Sequence, residues 1–192
     1  MPEYSYYPTG NAEVIKQLNM SKHPEGGYFA ETDRRPETVP SPFADNATRS
    51  LATSIFYLLT HEEPNGYIHM NKSVTYHVLH HGRAEYTLIH PGSPPRIEKK
   101  IVGTNAAAGE LRQLLVGTGV WKMSRVLPED RAAAKTDEEK DHVGCLITEV
   151  VVPGFAWEDH QYLTLDGLHK LFAGVEGAEE KIRVLSIFIR KN

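Results

Sequence analysis

The sequence predicts an all-β domain, a sandwich or barrel carrying a few peripheral helices. Short apolar, β-branched runs recur at a spacing of about 8–12 residues, the rhythm of stacked or closed antiparallel sheets. Turn chemistry separates them: Pro64-Asn65-Gly66, His81-Gly82, Pro91-Gly92-Ser93-Pro94-Pro95 and Gly117-Thr118-Gly119. The chain has 192 residues, 40% of them hydrophobic, with neither internal repeat nor linker. It therefore reads as one domain over 1–192, long enough to bury a core without disulfide staples.

The elements follow in order. A Tyr/Pro-rich lead-in and a short helix occupy 1–22; Val14, Ile15 and Leu18 set the helical face, with Thr9 or Asn11 as its cap. Strands are expected at Gly27–Thr32, Ser50–Thr60, Gly66–Asn71, Val74–His80 and Ala84–His90. Further strands are expected at Ile97–Val102, Leu111–Val116, Gly119–Leu127, Gly144–Val152 and Arg183–Arg190. A charged, Ala-rich insertion at 128–142 reads as a solvated loop with one helical turn. A second exception, 159–174, carries Leu165, Leu168, Leu171 and Phe172 at helical spacing and reads as a peripheral helix.

Charge and cysteine content exclude several function classes. Lys and Arg total 21 against 25 Asp and Glu, a net charge of −4 without a basic block. Nucleic acid and anionic membranes are poor partners for such a surface. Cys145 is the single cysteine, so an intrachain disulfide and a cysteine zinc site are both excluded. The start, Met1-Pro2-Glu3-Tyr4, lacks a signal-peptide pattern, and no apolar run reaches membrane length, so a cytoplasmic protein is expected. No Gly-rich phosphate loop or G-x-S-x-G elbow appears, and no nucleotide or other cofactor is implied. The abundant titratable type is histidine, ten in all.

Four segments concentrate chemistry. The first is His23-Pro24-Glu25-Gly26-Gly27-Tyr28-Phe29-Ala30-Glu31-Thr32, whose paired glycines permit close backbone approach and place Glu25, Tyr28 or Glu31 at a pocket mouth. The others are Gly66-Tyr67-Ile68-His69-Met70-Asn71-Lys72-Ser73, Gly117-Thr118-Gly119-Val120-Trp121-Lys122, and Val151-Val152-Pro153-Gly154-Phe155-Ala156-Trp157-Glu158-Asp159. In this order the segments resemble an uncharacterised subfamily of the cupin superfamily, whose members typically carry HPEGGYF and PGF motifs. The resemblance implies a double-stranded β-helix, the jelly-roll barrel, with an internal small-molecule pocket and a homodimeric assembly. Some relatives look like sugar epimerases or ligand-binding proteins.

Departures from that pattern shape the functional expectation. Metal-binding cupins take two histidines and a glutamate from their first motif and one histidine from their second. By that correspondence the positions here hold His69, Asn71, Thr75 and Lys122. A protonated lysine has no lone pair and repels a divalent ion, so a metal centre at those four positions is not expected.

Strand alternation places His69, Asn71, Thr75 and His77 on one face, with Lys122 set to meet them. The expected catalytic groups are His69, His77 and Lys122, for proton transfer and oxyanion stabilisation. Tyr28, Glu31, Tyr57, Asn71, Thr75, Trp121 and Phe155 are the expected substrate-binding residues. The implied activity is metal-independent acid–base chemistry (isomerisation, epimerisation, dehydration or cyclisation) on a small oxygenated metabolite. Two alternatives stand beside it: a non-catalytic binding module, and a metal-dependent oxygenase with a ligand set drawn from His69, His77 and others. His61, His80, His81, His142 and His169 read as solvated, while His90 and His160 have no partner nameable from the sequence.

Overall fold

A computed structural model describes residues 7–191. Among them, thirteen strands run as β1 (Ser21–Lys22), β2 (Tyr28–Arg34), β3 (Thr38–Pro40), β4 (Thr48–Ser50), β5 (Thr53–Thr60), β6 (His69–Asn71) and β7 (Val74–Gly82). They continue as β8 (Ala84–His90), β9 (Arg96–Val102), β10 (Gln113–Val116), β11 (Trp121–Val126), β12 (Gly144–Val152) and β13 (His160–Tyr162). One sheet has the order β1-β2-β5-β12-β7-β10 and the facing sheet β13-β6-β11-β8-β9, with a separate β3-β4 ribbon. All the strand pairs within the two large sheets are antiparallel. Two facing antiparallel sheets with non-sequential strand order make the expected jelly-roll barrel.

Alternation puts one row of side chains from each sheet inside. Along β12 (GCLITEVVV), β-branched residues favour the pleated conformation; Cys145 and Ile147 enter the core with Leu59, Tyr86 and Leu114, while Val151 is buried beside the cavity. Burial holds the Cys145 thiol up at about 12, which fits an inert core residue. Tyr76, Val78 and Leu115 point outward from β7 and β10 and are exposed.

Four expectations need correction. The first concerns Arg183–Arg190, expected as a strand. The structure instead has a helix, α5 (Ala178–Ser186). The local alternation of Val184 and Ser186 misled, because the burial follows 3.6-residue spacing. Leu185 and Phe188 are buried while Val184 and Ile187 are 42% and 70% exposed. The second concerns 128–142, where two short helices, α2 (Pro128–Ala133) and α3 (Asp137–Asp141), replace a solvated loop. Arg83 ties Asp130 down through bonds of 2.7 and 2.6 Å and also holds Glu110 at 2.9 Å. A Thr136/Glu139 capping box starts α3.

Third, 159–174 is not helical throughout. It opens with edge strand β13, and α4 (Leu165–Leu171) begins only after Thr164, whose hydroxyl accepts the Gly167 N–H. Leu168 and Phe172 of this segment pack with Leu185, Phe188 and Ile68 outside the second sheet. Fourth, the N-terminal helix, α1 (Asn11–Gln17), follows Gly10 without a side-chain cap. Asn11 is buried instead, donating to the Val143 carbonyl at 3.0 Å and receiving the Tyr7 hydroxyl. The first part of the lead-in, residues 1–6, lies outside the described residues.

Candidate functional site

The Glu25 side of the site is assembled from three distant parts of the chain. At the first, Gly26 and Gly27 have φ of +97° and +68°; a Cβ on either would collide with the Asn65 or Leu58 carbonyl oxygen at 2.2 and 2.6 Å. Only glycine lets this segment press so close to its neighbours. The Glu25 carbonyl then accepts the Tyr67 N–H at 2.7 Å, and the Glu25 side chain turns into the barrel, 6% exposed.

The second part is β6, which places His69 and Asn71 inward, with Lys122 of β11 opposite His69 in register. The third is β13, where His160 pairs with Asn71. A salt bridge fixes the start of β13: Arg49 grips the Asp159 carboxylate at 2.7 and 3.0 Å, while the Lys72 N–H reaches the Asp159 carbonyl.

Two buried ionisable groups of residues result. In one, the Lys122 ammonium donates to His77 Nε2 and to Glu149 Oε1, both at 2.8 Å, while His77 Nε2 lies 3.2 Å from the second Glu149 oxygen. His77 Nδ1 meets the Leu114 carbonyl at 3.3 Å. A carbonyl only accepts, so Nδ1 carries the proton and Nε2 presents its lone pair to Lys122. Burial and then Lys122 lower the pKa of His77. For Glu149, burial pushes upward, but Lys122 and then His77 overcome it, and the carboxyl sits well below its ordinary range.

In the other group, the Glu25 carboxylate lies 2.8 Å from His160 Nε2, 3.2 Å from His69 Nε2 and 3.7 Å from His23 Nδ1. His23 Nδ1 already accepts the Glu25 backbone N–H at 3.1 Å. His69 Nδ1 donates to the Tyr67 carbonyl at 2.8 Å, which leaves Nε2 as the lone-pair side of the neutral ring. Among the described residues, neither His69 Nε2 nor His160 Nε2 makes a hydrogen bond of acceptable direction, and Asn71 Oδ1 is likewise buried without a partner. Burial lowers His69 to about 4, with Lys122 acting in the same sense against the pull of Glu25. Glu25 itself falls to about 2: burial raises it, but His69, His160, His23 and Lys122 together outweigh that. At neutral pH the carboxylate is ionised and His69 is neutral.

Both groups open onto one cavity of about 690 Å³ including its mouth, with Glu25, Asn71 and Glu149 at the floor and Phe29, Phe155 and Trp157 among its walls. A smaller recess beyond the floor reaches Tyr57, His69, His77 and Lys122. Polar floor groups beneath aromatic walls suit a small ligand with an oxygenated end.

The inward face expected from alternation is present: His69, Asn71, Thr75, His77 and Lys122 are all buried. Thr75 nonetheless lines neither the cavity nor the recess. Glu31 and Phe155 do line the cavity, with Glu31 held by Arg34 at 2.7 Å. Two expected binding residues face away and are corrected here. Tyr28 packs outside the first sheet with Val14 and Leu58, because the inward parity of β2 belongs to Phe29 and Glu31. Trp121 packs outside the second sheet against the cluster of Leu168 and Phe172, since its neighbour Lys122 takes the inward position.

Three residues escaped the sequence reading of the site: His23, Glu149 and His160. Glu149 had a usable signal, as the lone charge in an apolar strand with the same parity as Ile147 and Val151. His160 was hidden by a helix pattern read back too far, over β13.

Comparison with known proteins now decides the family. The model of the family described as Cupin_5, Cupin superfamily (DUF985), matches residues 12–163. The chain belongs to the cupin superfamily. This cupin is 38% identical over 181 residues to the uncharacterised protein YML079W of Saccharomyces cerevisiae, covering 90% of this chain and 85% of the yeast protein. A hypothetical protein from Leishmania major has a similar structure, with a TM-score of 0.74, 25% identity and coverage of 90% and 98%. A Shewanella oneidensis structure shares the fold at a TM-score of 0.71 and 22% identity, covering 96% of this chain and all of that one. The four positions that metal-binding cupins use do not fit a metal in this member. Lys122 occupies one of them, and its ammonium is bonded to His77 and Glu149.

Proposed function

We propose that this cupin is an enzyme that moves a proton on a small oxygenated substrate held in the barrel cavity. The observation that carries the reading is the buried Lys122, His77 and Glu149 trio, whose carboxylate reaches the cavity floor. An ammonium has three N–H donors, and two go to His77 and Glu149, which leaves one for a substrate oxygen in the recess.

Held below its ordinary range by Lys122, the Glu149 carboxylate is a weak base at rest. It gains basicity as Lys122 turns from it to a carbonyl oxygen of the substrate. As the substrate C–H bond breaks, its proton passes to Glu149, its electron pair forms a carbon–carbon double bond, and the carbonyl π pair moves to the oxygen. The new oxyanion replaces the carboxylate as the partner of Lys122, so the buried charge is conserved through the step. His77 then positions Lys122 through its Nε2 lone pair. Isomerisation, epimerisation and dehydration all begin this way.

The test is proton exchange in D2O with a panel of hydroxy-aldehydes, hydroxy-ketones and keto acids, followed by proton NMR. The wild type is expected to exchange the activated C–H of at least one compound, and Glu149→Gln to slow it by about 10²–10⁴-fold. Equal exchange by the variant, or none with any compound, contradicts the reading. Binding without turnover is the second reading, favoured by the internal closure of the trio. Saturation-transfer signals from a compound that never exchanges select it.

A further inference from the structure

We propose that Glu25, His69 and His160 form a binding site for a first-row divalent transition-metal ion, in which His69 keeps one position that metal-binding cupins use while Glu25 and His160 come from elsewhere in the chain. The three side chains are 8%, 6% and 2% exposed, and their donor atoms all lie within 4.8 Å of one another. Donors about 2.1 Å from a shared ion stand about 3.0–3.4 Å apart in octahedral or tetrahedral arrangements. The Glu25 oxygens lie 3.2 Å from His69 Nε2, within that spacing, and 2.8 Å from His160 Nε2, slightly inside it.

The polar bookkeeping of these atoms points the same way. His69 Nδ1 donates to the Tyr67 carbonyl at 2.8 Å, which turns Nε2 toward the Glu25 carboxylate 3.2 Å away. Lone pair against carboxylate is repulsive unless a proton or a cation lies between them. A backbone carbonyl holding the far nitrogen is also the usual outer support of a metal-bound imidazole. The nearby His23 Nδ1 offers no relief, since it is engaged by the Glu25 N–H. Lys122 serves the other group of residues, and no ammonium or guanidinium contacts Glu25 among the described residues.

Asn71 extends the site. It lies two residues beyond His69 on the same inward face and opposite His160 in register, and its buried Oδ1 has no partner. The Trp157 and Phe155 rings stand edge-on to His160, with centroids at 5.1 and 5.9 Å, and supply an apolar wall. Two imidazoles and one carboxylate with open positions suit zinc or iron(II). The site does not depend on the proton-transfer reading, because binding is measured without turnover.

Zinc alone is the probe. Protein stripped with chelator is titrated calorimetrically, with elemental analysis after dialysis to give the stoichiometry. One zinc per chain is expected. Glu25→Gln and His160→Ala should weaken it by more than about 100-fold, beyond the loss caused by removing an outer-sphere partner. A double variant of the exposed His80 and His169, both to Ala, should bind as the wild type does. X-ray absorption on zinc-loaded wild type adds a readout independent of how the variants fold, and two imidazoles with oxygen donors are expected. No zinc retained by the wild type, unchanged affinity in Glu25→Gln, or a zinc shell without two imidazoles each overturns the proposal.

Discussion

Two buried carboxylates share one cavity floor, yet their surroundings differ in one respect. Glu149 is met by an ammonium within the same barrel, and Glu25 is met by three imidazoles. Around Glu149, the Lys122 nitrogen and both ring nitrogens of His77 make hydrogen bonds. Around Glu25, two ring nitrogens and the neighbouring Asn71 oxygen remain without hydrogen-bond partners. The difference traces to one register position. Lys122 stands opposite His69 on β11, but its side chain reaches across to His77 and Glu149 of the other sheet. A lysine therefore completes one region from within, while the other is arranged for a cation supplied from outside.

Removing the internal cation should have the largest effect. Lys122→Ala leaves Glu149 buried without its counter-charge, and the expected cost is about 3–5 kcal/mol in a urea unfolding series. A cost near zero would mean that the ammonium does not neutralise Glu149, and the contrast between the two regions would fail.

Acid comes next. His77 is held below its ordinary 6.5, so the unfolded chain takes up a proton that the folded chain resists once pH drops under about 6.5. Glu149 is held below 4.5, so its contribution is full above that value and is lost as pH falls toward the lower folded one. Both signs agree. Stability should fall by about 1–3 kcal/mol between pH 7 and pH 4, read from urea midpoints. A rise over that range would show that these groups are not held as described.

The smallest effect is expected at Glu25. In metal-free protein Glu25→Gln keeps the side-chain shape but removes the carboxylate that three imidazoles face, so the expected cost is about 1–2 kcal/mol, below that of Lys122→Ala. A cost equal to that of Lys122→Ala would erase the distinction.

Much of the barrel was legible in the sequence because period-two patterns report directly on which face is buried. Ala84–His90 and Gly144–Val152 match β8 and β12 end to end, and the parity that placed His69, Asn71, Thr75 and His77 together holds. The inward lysine was legible too, from its register against a family motif. Other features depended on contacts distant in sequence. The Val184 to Arg190 run alternates locally, but it coils because Leu185 and Phe188 find a helical partner in α4. Tyr28 and Trp121 look like pocket aromatics by type, and only the sheet parity turns them outward. Nothing local in His160 announces Glu25 as its neighbour. Their meeting requires the glycine turn at Gly26 and Gly27, the Arg49 grip on Asp159 and the β6–β13 pairing together.

The most direct measurement is anomalous diffraction at the zinc edge from crystals of chelator-stripped protein soaked in zinc. The account predicts one strong peak bounded by Glu25, His69 and His160, and none beside His77 and Glu149, where Lys122 already supplies the charge. A peak at the Lys122 group, or none at Glu25, would contradict it.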